Sequence, residues 1–278
     1  MFHSAARGRA ASARFMPLPS PTVRTLPHST LASAVRDIVM RAGDIIMDIY
    51  RTPFEVRSKA DRSPVTEADE AAERLIAQAL ARLQPSLPVV GEEGVAQGHV
   101  PDVSRGAFWL VDPLDGTKEF ISRNGEFTVN VGLIEGGRPT LGVVYAPAVG
   151  RMFWSEGPAR AFTLKNGAPV AITARTRPAD GYVVVASRSH RDPEEAAYLD
   201  TLPVKSVTSA GSSLKFCLVA AGEADLYPRF GPTNEWDTAA GHAILTAAGG
   251  RVVTRDGATL GYAKPNFRNP GFIAKGRE

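Results

Sequence analysis

Two aspartates, Asp112 and Asp115, follow an apolar segment and are the clearest candidates for chemistry in this chain. The segment, residues 108–111, is rich in β-favouring side chains and predicts a strand. That strand should stop at Pro113, because proline cannot donate a ladder hydrogen bond. The two carboxylates and the carbonyl oxygen of Leu114 between them are hard oxygen ligands, which suit Mg²⁺ better than a soft metal.

The two residues after this pair could face an anion. The backbone N–H groups of Gly116 and Thr117 are available for a negatively charged group, and Gly116 allows the chain to turn. The same residues also fit a plain strand-to-turn junction, in which Asp115 and Gly116 only form the turn. The residues of this segment alone leave both interpretations open.

Three more acidic residues lie beside predicted helices or strands. Asp69 lies in the first turn of a helix, where it could hold a metal-bound water, but Thr66 and Asp69 also have the spacing of a capping box. One of the two glutamates after a short buried strand, Glu92 or Glu93, could be a third carboxylate of the same site, or both could be solvated loop residues. Asp237 begins another helix, where the macrodipole alone would stabilise it.

The spacing of apolar side chains predicts the elements that position these acids. Residues 30–50 and a second segment ending at Leu83 repeat apolar side chains every three to four positions, which predicts two amphipathic helices. Several β-favouring segments within 127–155 predict a mostly antiparallel sheet packed on those helices. From residue 182 onwards strands and helices alternate, which is typical of an α/β arrangement.

Composition limits the class of protein. The chain has 278 residues, of which 44% are hydrophobic, enough for a sizeable core. The single cysteine, Cys217, excludes an intramolecular disulfide and favours a reducing compartment, and we expect it to be a buried bystander. The net charge is +3, but residues 1–30 contain four arginines and no acid. The remainder is therefore close to neutral, which argues against nucleic-acid binding.

The first residues differ in composition from the rest. Residues 1–28 are rich in Ala, Ser, Pro and Arg without a sustained apolar period, which predicts a disordered tail. An organelle transit peptide and an over-extended reading frame with Met16 as the true start are the alternatives. No segment of the chain reaches the length of about 18 to 20 apolar residues that a membrane span requires, so we expect a soluble protein.

Three acidic motifs together resemble a known family. In order and approximate spacing they are similar to the signature blocks of the inositol monophosphatase superfamily, a group of Mg²⁺-dependent, lithium-sensitive phosphatases. The motifs are Gly91-Glu92-Glu93, Asp112-Pro113-Leu114-Asp115-Gly116-Thr117 and Glu235-Trp236-Asp237. The resemblance covers residues 29–265, and the segments 63–69, 187–190 and 212–217 are most similar to the bacterial 3'(2'),5'-bisphosphate nucleotidases of that superfamily.

The resemblance implies a fold. We expect one catalytic domain over residues 29–270, of mixed α+β and α/β class, with the layered α-β-α-β-α arrangement of the sugar phosphatases. The lobe 29–180 should hold the two helices and the mostly antiparallel sheet. The lobe 181–270 should be a smaller α/β unit.

The resemblance also implies roles for individual residues. Two Mg²⁺ ions, with a third and weaker site near Glu92 and Asp69, would be held by Glu92, Asp112, the Leu114 carbonyl, Asp115 and Asp237. The implied catalytic residues are Asp69, Thr117 and Glu92, of which Thr117 and Asp69 would orient and deprotonate the metal-bound water. The N–H groups of Gly116 and Thr117 would hold the phosphate. The substrate would also contact His190, Ser212, Lys215, Arg229 and Asp237. Taken one at a time, Ser212 could instead be a helix N-cap, Lys215 and Arg229 could be ordinary solvated charges, and His190 could be only a loop residue.

The implied substrate is a small nucleotide bisphosphate. The expected reaction removes the 3'-phosphate of adenosine 3',5'-bisphosphate, in sulfur assimilation and nucleotide recycling, with 3'-phosphoadenylyl sulfate as a second candidate substrate. We expect a monomer or homodimer in the cytoplasm, free or at the periphery of the inner membrane.

Three alternatives to this function stay open. The first is a phosphatase of the same superfamily that acts on inositol 1-phosphate or another sugar phosphate. The second is a haloacid-dehalogenase-type phosphatase, in which an aspartate is the covalent nucleophile, although there the two aspartates are separated by one residue rather than two. The third is a non-catalytic protein that binds metal or nucleotide.

Overall fold

The computed structural model describes residues 26–59, 64–187 and 192–277. Most of the predicted disordered tail, residues 1–25, lies outside these ranges. The predicted substrate residue His190 also lies outside the described residues.

Two long helices form the first layer, as the apolar spacing predicted. They are α1 (His28–Tyr50) and α2 (Glu67–Leu83), and between them the chain forms the small hairpin of β1 (Val56–Ser58) and β2 (Pro64–Thr66). The two helices pack on each other and, through buried aliphatic side chains, on the sheet that follows.

The sheet beneath these helices has seven strands in sequence order. Only the first pair is parallel and the others are antiparallel, which confirms the predicted mostly antiparallel sheet. The strands are β3 (Val89–Gly91), β4 (Ala107–Asp115), β5 (Thr128–Glu135), β6 (Arg138–Ala146), β7 (Arg151–Ser155), β8 (Ala161–Lys165) and β9 (Ala168–Ala171). Two short helices, α3 (Glu92–Ala96) and α4 (Thr117–Ile121), follow β3 and β4.

One detail of this sheet differs from the prediction. Strand β4 does not stop at Pro113 but continues to Asp115, which pairs with Thr128 of β5. The register shifts between Asp112 and Asp115, so the intervening residues bulge out of the ladder. A bulge accommodates proline because the bulged residue makes no ladder hydrogen bond.

The second half of the chain builds a five-stranded sheet with helices. Its strands run in the spatial order β11, β10, β12, β16, β14. They are β10 (Tyr182–Ser187), β11 (Val204–Ala210), β12 (Leu226–Arg229), β14 (Arg251–Thr254) and β16 (Phe272–Lys275), while β13 (Thr233–Asn234) pairs with β15 (Arg268–Asn269) and a 3₁₀ turn spans Pro265–Phe267. The helices are α5 (Pro193–Asp200), α6 (Leu214–Ala220) and α7 (Glu235–Ala247).

The helices α6 and α7 lie between the two sheets. Helix α7 contacts β4 to β8 on one side and β14 on the other, and α6 contacts β10, β12 and β16. The close approach of α7 to the large sheet needs a glycine, since a Cβ on Gly142 would collide with the carbonyl oxygen of Ala240. Helix α5 lies outside the small sheet, where Tyr198 packs on Phe230. The predicted layered α-β-α-β-α fold is confirmed.

Two further observations concern composition. Cys217 is fully buried in α6, as expected of a bystander. In the ranges that the structure describes, no helix is both long and apolar enough to span a bilayer.

The buried His242 of α7 gives a prediction about pH and stability. Burial lowers the pKa of His242 to about 3, whereas an unfolded chain has a histidine pKa of about 6.5. Below pH 6.5 the unfolded state therefore binds a proton that the folded state does not, and this group should cost about 2 kcal/mol of stability between pH 7 and pH 5. Urea unfolding at both pH values checks this.

The control separates His242 from the other titrating groups. Between pH 7 and pH 5, the decrease in the free energy of unfolding should be about 2 kcal/mol smaller in His242→Gln than in the wild type. The exposed His99 serves as the matched control, and His99→Gln should keep the wild-type pH dependence. Equal pH dependence in all three proteins would contradict the prediction.

Candidate active site

A cavity of about 300 Å³ collects most of the predicted site residues. Its wall includes the end of β4, the start of α4, the turn before α6, the end of β12 and the first turn of α7. Ten of the predicted residues line it: Glu92, Asp112, Leu114, Asp115, Gly116, Thr117, Ser212, Lys215, Arg229 and Asp237. Asp69 does not line the cavity, and His190 is not among the described residues.

The bulge in β4 positions the two central aspartates. Asp112 is 2% exposed, and its Oδ1 accepts a hydrogen bond from the backbone N–H of Leu114 at 3.1 Å. Asp115 is partly exposed, and its Oδ2 accepts from Ser213 Oγ at 2.8 Å and from Asn130 Nδ2 at 3.3 Å. Oδ2 of Asp115 is thus held by two neutral donors from other elements.

Asp69 caps α2 and also contacts Thr117, a residue of the cavity wall. Its Oδ2 accepts hydrogen bonds from the backbone N–H and the hydroxyl of Thr66, at 2.8 and 2.7 Å, so the capping box that the spacing allowed is present. Its Oδ1 lies 3.3 Å from Thr117 Oγ1. Asp69 is 1% exposed. The capping role therefore uses one carboxylate oxygen and leaves the other beside Thr117.

Asp237 caps helix α7 in the same way as Asp69 caps α2. Its Oδ2 accepts from the backbone N–H of Asn234 at 2.8 Å, which completes a second capping box. The neighbouring Glu235 is fully buried and binds the backbone N–H groups of Ala263 and Lys264, so its role is structural.

The turn between β4 and α4 depends on a glycine. Gly116 has a φ of +95°, a conformation that a side chain would strain. Thr117 follows, and its hydroxyl donates to the Leu114 carbonyl at 3.3 Å. The turn thus places the Thr117 hydroxyl within reach of both Asp69 and Leu114.

Lys59 was not singled out from the sequence. Its side chain is 9% exposed and donates to Glu92 Oε1 and Glu93 Oε1, at 2.7 Å each. Burial disfavours the charged ammonium, but Glu92 and Glu93 outweigh burial and raise the pKa of Lys59. Burial also raises the pKa of Glu93 to about 7. Only the spatial contact between residues 33 positions apart reveals this pairing.

The cavity concentrates negative charge. Burial raises the pKa of Asp112 well above its usual range, and Glu92, Asp115 and Asp237 raise it further. The pKa of Asp237 is also raised well above its usual range, first by burial and then by the charge of Asp115. Burial also raises the pKa of Asp115, although the nearby Lys215 cation acts in the opposite direction and lowers it. Carboxylates brought together in this way repel one another, and a bound cation would relieve the repulsion.

The donor set fits Mg²⁺, although it is not a preformed cage. Within the described ranges, no three His, Cys, Asp or Glu side chains converge on one point as closely as a metal site requires. Hydrogen bonds already hold one oxygen each of Asp112, Asp115 and Asp237. The oxygen-only chemistry and the mutual repulsion nevertheless match a hard divalent cation.

The substrate side of the cavity is built by the turn before α6. Ser212 has a φ of +50°, and its hydroxyl is buried without a hydrogen-bond partner among the described residues. Lys215 is 5% exposed and donates to the carbonyl oxygens of Ser212 and Ala210, at 2.6 and 3.3 Å. The alternative that Ser212 is a helix N-cap is wrong, because α6 begins at Leu214 after Ser213. The alternative that Lys215 is an ordinary solvated side chain is also wrong, because only 5% of the residue is exposed.

Comparison with known proteins decides the family. The chain matches the inositol monophosphatase family over residues 28–276. The chain belongs to this family. The resemblance noted in the three acidic motifs is thereby confirmed.

Three similar proteins of the inositol monophosphatase family carry the name CysQ. The 3'(2'),5'-bisphosphate nucleotidase CysQ of Escherichia coli (strain K12) is 51% identical over 242 residues, which cover 86% of this chain and 96% of the relative. CysQ of Buchnera aphidicola is 42% identical over 84% of this chain and 89% of its own length. The crystal structure of CysQ from Bacteroides thetaiotaomicron superposes with a TM-score of 0.75 at 39% identity, covering 90% of this chain and 98% of that one.

Proposed function

We propose that this family member is a Mg²⁺-dependent 3'(2'),5'-bisphosphate nucleotidase, which removes the 3'-phosphate of adenosine 3',5'-bisphosphate to give AMP and phosphate. The high identity to enzymes of that name over most of both chains carries the proposal. The cavity lined by ten of the predicted site residues supports it. 3'-Phosphoadenylyl sulfate is the second proposed substrate.

The proposed metal ligands are Glu92, Asp112, the Leu114 carbonyl, Asp115 and Asp237. They would hold two Mg²⁺ ions, with a third and weaker site near Glu92 and Asp69. When bound, Mg²⁺ neutralises phosphate oxygens and lowers the pKa of coordinated water. Lys59 already donates to Glu92, so it shares that carboxylate with any ion at the weaker site.

Thr117 and Asp69 would activate the attacking water as a pair. Thr117 lines the cavity, whereas Asp69 lies behind it with Oδ1 3.3 Å from the Thr117 hydroxyl. Thr117 Oγ1 therefore accepts the proton of the water and passes its own to Asp69 Oδ1. Burial raises the pKa of Asp69, which favours proton acceptance. As the water oxygen bonds to phosphorus, the ester P–O bond breaks, and the 3'-oxygen leaves with the bonding electron pair and takes a proton from solvent water to become the 3'-hydroxyl.

The other proposed contacts orient the substrate. The N–H groups of Gly116 and Thr117 would hold the scissile phosphate. Ser212, Arg229, His190 and Asp237 would contact the nucleotide and its second phosphate. Lys215 would hold the turn through its two carbonyl contacts and direct its remaining N–H into the cavity.

Ser213 supplies a test of the ligand assignment. Its hydroxyl contacts Asp115 Oδ2 and the Asp237 carbonyl, at 2.8 Å each, so it links two proposed ligand residues. Ser213→Ala should remove one of the two donors that hold Asp115 Oδ2 and lower Mg²⁺ affinity by about 10- to 100-fold. The Mg²⁺ dependence of phosphate release and the Mg²⁺-induced rise in Tm measure it. Ser122→Ala, outside the cavity, is the matched control, and an unchanged Mg²⁺ affinity in Ser213→Ala would refute the link.

Arg229 supplies a test of substrate choice. A charge-assisted contact is worth about 1.5 to 3 kcal/mol, so Arg229→Ala should lower kcat/KM for adenosine 3',5'-bisphosphate by about 10- to 150-fold. Hydrolysis of inositol 1-phosphate, which lacks a second phosphate, should change little. Equal losses on the two substrates would show that Arg229 supports the shared catalytic centre or the fold.

Phosphate release from a panel of substrates tests the proposed function directly. The wild-type chain with Mg²⁺ should prefer adenosine 3',5'-bisphosphate over inositol 1-phosphate. The opposite preference would overturn the nucleotidase assignment and leave a sugar phosphatase of the same family. Trapping of an aspartyl-phosphate would favour the haloacid-dehalogenase mechanism, and no hydrolysis of any substrate would favour a binding protein.

The proposal extends to the organisation of the protein. We take residues 28–275 as one catalytic domain, because β16 at Phe272–Lys275 belongs to the small sheet and lies beyond the predicted end at residue 270. A cytoplasmic monomer or homodimer remains the proposed form.

A further inference from the structure

A second cavity, of about 290 Å³, lies at the other end of the small sheet. Strand β10 begins with Tyr182 at this cavity and ends with Ser187 at the candidate active site. The β12–β16 pair has Lys275 at this end and Phe272 at the active-site end. Five steps along a strand span roughly 16 Å, so the two cavities are separate.

Basic side chains dominate the wall of this second cavity. Arg175, Arg177, Lys275 and Arg277 line it, against a single acid, Asp225. Asp225 is 2% exposed. Its Oδ1 accepts from Arg175 Nε at 2.6 Å, and its Oδ2 accepts from Arg175 Nη2 at 2.9 Å and from the Val183 N–H at 2.7 Å. Asp225 therefore balances Arg175, and the wall as a whole keeps a net positive charge.

Two of these cations, Arg177 and Arg277, have no ion pair with any of the described residues. The Arg177 guanidinium lies 5.3 Å from the ring centre of Tyr182, and neither Arg177 nor Arg277 pairs with an acid in the ranges that the structure describes. Burial, and then the neighbouring Arg251, lower the pKa of Lys275. The cavity thus has a positive potential suited to an anion.

Hydrogen bonds join the backbone segments around the cavity. Arg277 N–H donates to the Arg175 carbonyl at 3.0 Å, and Gly276 N–H donates to the Asp225 carbonyl at 3.0 Å. A Cβ on Gly276 would collide with the Arg175 carbonyl oxygen, so glycine permits this approach. Arg175 and Arg277 therefore lie on adjacent, hydrogen-bonded backbone segments. Since these segments are already ordered, ligand binding has a smaller entropic cost.

We propose that this cavity binds a phosphate group, either as free phosphate or on a small nucleotide. Guanidinium groups match phosphate oxygens with two parallel hydrogen bonds, and Arg177 and Arg277 carry two such groups without acidic partners among the described residues. The cavity volume is close to the lower limit of about 300 Å³ for small-ligand pockets. The one acid in the wall has both oxygens occupied by Arg175 and Val183, so the site binds phosphate without the carboxylate cluster of the candidate active site.

Equilibrium dialysis of the full chain with Mg²⁺ and radiolabelled inorganic phosphate tests the proposal. The wild type should bind one more phosphate per chain than the double variant Arg177→Gln/Arg277→Gln, whose affinity at this site should fall at least about tenfold. Hydrolysis should be unchanged in the variant. Arg74→Gln/Arg82→Gln, which removes the same charge from the exposed face of α2, should bind like the wild type.

The outcomes separate the ligand sources. Displacement of this phosphate by AMP but not by adenosine would identify a nucleotide bound through its phosphate, and displacement by neither would identify free phosphate. Equal phosphate binding in the wild type and the Arg177→Gln/Arg277→Gln variant would overturn the proposal, and so would equal loss in the α2 control. If the double variant has a lowered Tm, Arg177→Gln alone should still weaken binding, since Arg177 makes no hydrogen bond in the described structure.

Discussion

Replacement of Asp115 by asparagine should lower phosphate release by more than about 100-fold, beyond the 10- to 100-fold that loss of a supporting contact costs. The change removes the charge of a proposed ligand at nearly constant volume. The remaining amide oxygen can still accept from Ser213 and Asn130, whose contacts with Asp115 are at 2.8 and 3.3 Å. Since Asp115 raises the pKa of both Asp112 and Asp237, its neutralisation relieves repulsion in the metal-free protein.

Two measurements check the Asp115 result together. In EDTA, Asp115→Asn should unfold at or above the wild-type Tm, and the rise in Tm on adding Mg²⁺ should be largely lost. Asp102→Asn, at an exposed loop carboxylate, is the matched control and should behave as wild type. Retention of more than about a tenth of the wild-type rate would contradict the assignment of Asp115 as a ligand.

Replacement of Asp69 by asparagine should lower kcat by about 10²- to 10⁴-fold, the usual contribution of a general base. An amide cannot accept the proton that Thr117 passes on. It can still accept the hydrogen bond from the Thr66 N–H, which is 2.8 Å from Asp69 Oδ2, so the cap of α2 should survive. The apparent KM for substrate should change far less than kcat.

Glu70 offers a neighbouring control on α2. It pairs with Arg57 at 2.8 Å on the outer side of the helix, and Glu70→Gln should keep the wild-type kcat. Thermal unfolding of both variants separates catalysis from folding. A kcat for Asp69→Asn within tenfold of the wild type, with an intact fold, would show that Asp69 only caps the helix.

Features that depend on neighbouring residues could be predicted from the sequence. The apolar spacing predicted α1 and α2 to within a few residues, because helix formation depends on side chains three and four positions apart. The acidic motif around Asp112 and Asp115 likewise indicated the family, because it is a contiguous set of residue types. The local rule failed at Pro113, since a bulge that depends on pairing with β5 carries the strand past the proline.

The tertiary structure decided which side chains meet in the candidate active site. Nothing in the local sequence pairs Lys59 with Glu92, or Ser213 with Asp115, because these contacts join elements 33 and 98 positions apart. The raised pKa of Asp112 likewise arises only when burial and distant carboxylates act on it together. The sequence by itself determined the elements and the chemical types of the ligands. Packing of both sheets around α6 and α7 decided which side chains share one cavity, since contacts between distant positions form only when the layers assemble.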